Sequence, residues 1–433
     1  MRNFAVYALS VAASALLPGC GVLRQVQDDM PPQISVRGAM PQISTLEAPT
    51  NRTHYKVVYS FEAGSDGSFP RSTLIDVGST LYGTTEAGGV NSEGTVFSVT
   101  PGGSEKVLHS FGKRHDGNAP EAGLVELRGT LYGTTRKGGS YDACYYSTIQ
   151  FSCGTVFSIT TGGREKVLHS FSLHYNNGND GANPVASLIK VKGTLYGTTL
   201  YGGSYFCPGA DCGTVFSVTP GGTEKVLHSF SRGADGYNPV ASLVKVNGTL
   251  YGTTQYGGTY DAGTVFSIAP NGTEKVLHSF GGSSEDGTVP QAALINVKGT
   301  LYGTTLVAAD CNGIQSCGTV FSITPGGTEK VLYHFRGGKT DGGGPSASLI
   351  NVKGTFYGTT TYGGANYNEC DGSGCGTVFS ITPSGKEKVL HSFAGASDGQ
   401  QPLAGLINVK GTLYGTTAGG GTNGYGTVFA LAP

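Results

Sequence analysis

The sequence predicts an all-β protein, a seven-bladed β-propeller of four-stranded antiparallel blades, closed by an N-terminal strand that pairs into the last blade. Three observations predict it. YGTT recurs seven times, beginning at Tyr82, Tyr132, Tyr196, Tyr251, Tyr302, Tyr357 and Tyr414, and GTVF follows each copy, from Gly94 to Gly426. KVLHSF or a variant also occurs seven times, but the first, Lys56 to Phe61, precedes every YGTT, and none follows the last GTVF. The 72 glycines fall in register between apolar, β-branched and aromatic runs, which is turn punctuation in a β protein.

Each unit reads as four short strands. Ser187–Val191, Thr194–Thr199, Gly213–Thr219 and Glu224–Phe230 are one set. The first connection is Lys-Gly or, at Asn247-Gly248, the Asn-Gly pair that favours a type I′ hairpin, because both residues tolerate positive φ. The third is Pro-Gly-Gly or Pro-Asn-Gly, a turn in which Pro presets φ and the next residue is free. A single four-stranded sheet cannot bury both faces, so the copies must pack on one another. A linear stack gives no reason for complementary partial units at the chain ends; a ring does, because the early strand then supplies the missing edge of the last sheet. The blades are expected at about residues 71–111, 121–171, 185–230, 240–280, 291–335, 346–393, and 403–433 completed by 55–61, so that the propeller spans 55–433.

The combination of YGTT, a glycine pair, GTVF and KVLHSF resembles the GloVer-type tandem repeat of "choice-of-anchor" bacterial surface proteins. The resemblance covers roughly residues 55–433. It implies an extracytoplasmic protein with a variable means of anchorage and implies no established reaction.

The front of the chain points the same way. Arg2 and the apolar stretch Phe4 to Leu17 fit a secretory signal over residues 1–19 and are too short for a spanning helix. Leu17-Pro18-Gly19-Cys20 resembles the bacterial lipobox, which implies lipidation of Cys20; Pro18 departs from the small residue usual there, and an ordinary cleaved signal is the alternative. Gly21 in place of Asp does not signal inner-membrane retention, so the expected location is extracytoplasmic and lipid-anchored, at the outer membrane or cell surface of a bacterium. Residues 20–54 lack periodicity and read as a flexible tether.

Eight further cysteines fall in four local pairs, Cys144/Cys153, Cys207/Cys212, Cys311/Cys317 and Cys370/Cys375, each between the second and third strands and each ending immediately before GTVF. In an oxidising compartment they are expected to form four disulfides that staple the longer loops. A shared metal would need four converging ligands, whereas these pairs sit on different blades without nearby His.

Antiparallel order puts connections one and three on one face of the ring. Connection two and the blade-to-blade crossover DGxxP lie on the other, where variable loops on a rigid scaffold place function. The crossover residues Asp66, Asp116, Asp180, Asp235, Asp286, Asp341 and Asp398 read as turn formers whose side chains cap backbone amides, rather than as a carboxylate ring for cations; no cofactor is expected, and calcium is the one metal considered. His109, His169, His228, His278 and His391 share one repeat position and are expected to alternate with Val and Phe on one strand face, packing blades together. Tyrosines off the repeat positions, Tyr141, Tyr145, Tyr146, Tyr201, Tyr205, Tyr256, Tyr260, Tyr362 and Tyr367, offer flat rings with a hydroxyl, suited to a sugar or a protein partner. For those before the glycine pair, the competing reading is packing at the loop base.

The formal charge of −1 without a basic run gives no reason to expect nucleic acid. HExxH and Walker signatures are absent from the sequence, and its one GxSxG match, Gly395 to Gly399, falls in a DGxxP crossover and is not a nucleophile elbow. The expected function is a non-catalytic binding or scaffold module, presenting a polysaccharide or protein ligand to the disulfide-stapled face. The alternative is an extracytoplasmic glycan lyase or hydrolase assembled at the mouth of the central channel; a quinone-dependent redox propeller fits less well, since the chain has no Trp. Off-pattern charges separate the first two readings, and Glu86 and Arg136-Lys137, just after their YGTT runs, are where to look.

Overall fold

The computed structural model describes residues 54–113, 115–140, 145–146, 149–150, 153–173, 180–203, 212–269, 271–308 and 317–433, with backbone only at 145–146 and 149–150. Seven four-stranded antiparallel sheets form the propeller. In the third blade the strands are Ile189–Val191, Thr194–Thr199, Thr214–Val218 and Glu224–Ser229, slightly trimmed from the sequence expectation. The first hairpin there turns on Lys192 and Gly193 at φ 49° and 86°, and its counterpart on Asn247 and Gly248 at 49° and 95°, as type I′ requires. The seventh sheet is completed by the strand His54–Ser60, which pairs antiparallel with Thr427–Ala432. The ring therefore closes as the partial units foretell.

The repeated words have physical reasons. Gly of YGTT faces Phe of GTVF across the strand pair, as Gly83 does Phe97; a Cβ on Gly83 would lie 2.8 Å from the Phe97 ring and 2.7 Å from Leu74. The first Thr leaves its sheet: Thr84 donates to the carbonyl of Ala122 in the next blade at 3.0 Å, and Thr416 does the same to Ser72 across the closure at 3.3 Å. The second Thr stays within the blade, where the Thr85 hydroxyl lies 2.8 Å from that of Thr95 and accepts the Thr95 N–H. Phe ending each fourth strand packs edge-on against Phe of the next blade's GTVF, from Phe61–Phe97 and Phe111–Phe157 to Phe393–Phe429, with centroids 5.0, 5.1 and 5.2 Å apart. These fully buried rings sit at the centre of the blade-to-blade clusters.

The fourth strand departs from simple alternation. In each blade its register slips by one residue against the third strand; in the first, Val107 lies opposite Phe97 while His109 lies opposite Val96. Opposed residues share a face, so His109 shares one with Val96 and Phe111 while Val107 looks the other way. The expected single face of Val, His and Phe is thus corrected: the bulge splits it.

Candidate functional site

Segments leading into the first strand of all seven blades line the axial channel, among them Ser72, Gly123, Ser187 and Ser348. Where this channel opens on the loop face it widens into a cavity of about 390 Å³. Two repeat positions build the rim. The residue after the crossover Pro is Arg71, Glu121, Val185, Val240, Gln291, Ser346 or Leu403, and a residue just after YGTT joins it in three blades, as Arg136, Leu200 or Gln255, with Glu86 bonded to Arg71. Among the described lining residues the charge lies in blades one and two.

There the charges pair. Arg71 Nε meets Glu86 Oε2 at 2.9 Å, and an Arg136 guanidinium nitrogen meets Glu121 Oε1 at 2.8 Å. Burial opposes the Arg136 charge, but the hydrogen bond to Glu121 and the fields of Glu121, Glu86 and Tyr201 outweigh it and raise its pKa. Arg136 Nε is buried without a hydrogen-bond partner. Of the sequence-flagged charges, Arg136 thus lines the channel mouth and Glu86 reaches it through its bond to Arg71. Lys137 is not among its lining residues; it is exposed, and its backbone pairs with Asn118. Sequence reasoning missed Arg71 and Glu121, although aligning the residue after each crossover Pro isolates them as the charged members.

The described loop tyrosines do not converge. Tyr141 and Tyr205 lie outside the described residues, as do the side chains of Tyr145 and Tyr146. Tyr201 packs on the buried cluster of blades two and three, which is the loop-base role. Tyr362 is half-buried with its backbone paired to Gly343, and Tyr367 is half-buried with its carbonyl accepting from Gly374. Tyr256 and Tyr260 are exposed on the fourth blade. Tyr256 leans on Tyr237, centroids 5.4 Å apart, and the Arg232 guanidinium caps the Tyr237 ring at 4.8 Å. Cys370–Cys375 forms a disulfide. Cys153, Cys212 and Cys317 are buried, while Cys144, Cys207 and Cys311, like Cys20, lie outside the described residues.

A second polar array runs through the blade junctions. Each crossover Asp accepts a backbone N–H just past the fourth-strand Phe, from the next residue in six blades, as Asp116 does from Gly112 and Asp180 from Ser172, and from the second, Gly282, at Asp286, so the capping role holds. It also meets the repeat histidine: Nε2 to carboxylate is 3.1 Å at His109–Asp116, 2.7 Å at His169–Asp180, 3.3 Å at His228–Asp235, and 3.2 Å at both His278–Asp286 and His391–Asp398. The fifth blade carries Tyr333-His334 in place of the repeated His-Ser. Tyr333 stands in the histidine position and donates to Asp341 at 2.9 Å, as Tyr59 does to Asp66 at 2.8 Å. The glutamate opening the next blade's fourth strand approaches from the far side. Glu105, Glu165, Glu224, Glu274, Glu329 and Glu387 are all pushed up to about 7, by burial in every case, with the neighbouring blade's crossover Asp adding to it.

The family model of the Gloeobacter/Verrucomicrobia repeat matches residues 42–206, 146–313 and 309–433. No curated protein matches. Among solved structures, a gluconolactonase from Xanthomonas campestris is 11 % identical with a TM-score of 0.41, covering 88 % of this chain and 89 % of its own. A europium-containing methanol dehydrogenase is 12 % identical at 0.48, covering 88 % and 93 %. A puromycin hydrolase is 10 % identical at 0.49; the match covers 81 % of this chain and half of the hydrolase. Likeness at this level says nothing about activity.

Proposed function

The chain belongs to the Gloeobacter/Verrucomicrobia repeat family, and on that premise we propose that it is an extracytoplasmic, lipid-anchored propeller that binds without catalysis, receiving the end of a neutral, hydroxyl-rich glycan at the channel mouth. The observation that carries this reading is the mutual neutralisation of Arg71 with Glu86 and Glu121 with Arg136. A general acid or base needs a group free to exchange a proton with the substrate. Here each rim carboxylate is committed to a guanidinium. Paired carboxylates and guanidiniums instead present fixed acceptors and donors to hydroxyl groups, while Val185, Leu200, Val240 and Leu403 offer an apolar wall to a sugar face. Tyr256 and Tyr260 extend the same face outward. Anchorage rests on the lipobox resemblance at Cys20.

The test is a glycan array probed with the chain and with an Arg71→Ala/Arg136→Ala variant. Binding of one glycan class that weakens at least tenfold in the variant is expected; equal binding by both overturns the site. Release of shortened or unsaturated sugars from the bound class favours the glycan-active enzyme instead.

A further inference from the structure

We propose that three consecutive blade junctions each bind a divalent transition-metal ion of the zinc class, ligated by His and Asp of one blade and Glu of the next. The clusters are His169, Asp180 and Glu224; His228, Asp235 and Glu274; and His278, Asp286 and Glu329. Within each, one ligand atom from every residue lies within 4.8 Å of the other two. One imidazole nitrogen with two carboxylate oxygens is a donor set that zinc accepts, leaving a fourth position for water. Zinc bonds of about 2.0–2.2 Å draw the donors somewhat closer, and the unbranched Glu side chain arriving from the neighbouring blade is the part able to move.

An independent observation points to a missing partner. Oε1 of Glu224, of Glu274 and of Glu329 is buried and without a hydrogen bond, as is that of Glu105, Glu165 and Glu387 at other junctions, but only in these three clusters do a His and an Asp stand close enough to share a cation with it. In the middle cluster Nε2 of His228 is also without one, although it lies only 3.3 Å from Asp235. A buried acceptor left empty is unfavourable, and in these clusters it stands beside an imidazole nitrogen and a second carboxylate, one ligand atom of each within 4.8 Å of the others. A cation there satisfies them together. It also adds a tie between two neighbouring blades.

The other junctions explain why the proposal stops at three. Tyr59 and Tyr333 replace the histidine at two of them, and Tyr55 replaces the glutamate beside His391 and Asp398. His109, Asp116 and Glu165 have the right types, but they do not draw together within the same distance. These four serve as internal controls.

The experiment titrates the chelator-stripped full chain with Zn²⁺ by calorimetry, with Tm recorded alongside. Wild type is expected to take up three more ions than Glu224→Gln/Glu274→Gln/Glu329→Gln, and each single change to remove one; Glu165→Gln is expected to remove none. Because Tyr already fills the histidine position in two blades, His169→Tyr/His228→Tyr/His278→Tyr provides a second variant suited to the fold, with the same expected loss. Equal zinc uptake by wild type and either triple variant overturns the proposal. So does a wild-type Tm that responds to pH and not to zinc, which assigns the clusters to a shared proton.

Discussion

Tyr55 stacks face to face on His391, ring centroids 3.8 Å apart and planes 2° from parallel. Tyr55 belongs to the closing strand and His391 to the sixth blade, and the phenol hydroxyl donates to the Asp398 carbonyl. Glutamate stands at the Tyr55 position in the other blades. The seam of the ring thus exchanges a buried acid for an aromatic pair. Tyr55→Ala is expected to destabilise the protein by about 3 kcal/mol, through lost burial and a lost ring contact. Thermal melts monitored by circular dichroism measure it; a loss no greater than at an exposed surface position contradicts the seam's importance.

Stability is expected to fall as pH rises toward 8. Glu105 faces Asp66, Glu165 faces Asp116, and Glu387 faces Asp341 and Tyr333; each glutamate is pushed from 4.5 to about 7. A carboxyl with a raised folded-state pKa contributes stability that is complete below the unfolded value and lost as pH climbs through the folded one. The window is therefore about pH 4.5 to 7 for these groups. Neighbouring His109, its pKa lowered by burial, acts in the opposite sense as pH falls. Between pH 6 and 8, with chelator present, Glu105→Gln/Glu165→Gln/Glu387→Gln should flatten the decline in Tm. An unchanged slope would remove these groups as its cause.

Histidine and tyrosine should be interchangeable beside the crossover Asp. Tyr59 and Tyr333 make the bond that His109 makes, so His109→Tyr is expected to cost less than about 1 kcal/mol. Asp116→Ala leaves the Gly112 N–H and His109 without their partner, and a loss of about 2–3 kcal/mol is expected. Denaturant titration of both variants gives the comparison, and comparable losses would sink the equivalence.

Removing the Cys370–Cys375 bridge through Cys370→Ser/Cys375→Ser is expected to cost about 2 kcal/mol by the chain-entropy estimate for so short a loop. Since the bridge confines a loop between strands and not the sheets themselves, the β-sheet spectrum should persist. Its collapse would show the loop to be part of the folding core.

Architecture was readable because it is written seven times. The displaced KVVYSF gave closure, and Asn247-Gly248 gave turn type, each through local chemistry repeated in register. What escaped was whatever depends on a neighbour distant in sequence. The one-residue slip before His109 reverses a face without altering composition. The partnership of Asp180 with Glu224 crosses between blades. Arg136 and Glu86 stood out as deviations just after a repeated word, but their mates Arg71 and Glu121 lie at a position that holds six residue types in seven blades, where only their charge sets them apart.

The closing strand also fixes a direction. It begins at His54 on the side of the tight hairpin turns and runs toward the stapled loops, because it pairs antiparallel with Thr427–Ala432. His54, the first residue of that strand, thus stands at the rim opposite the Arg–Glu opening.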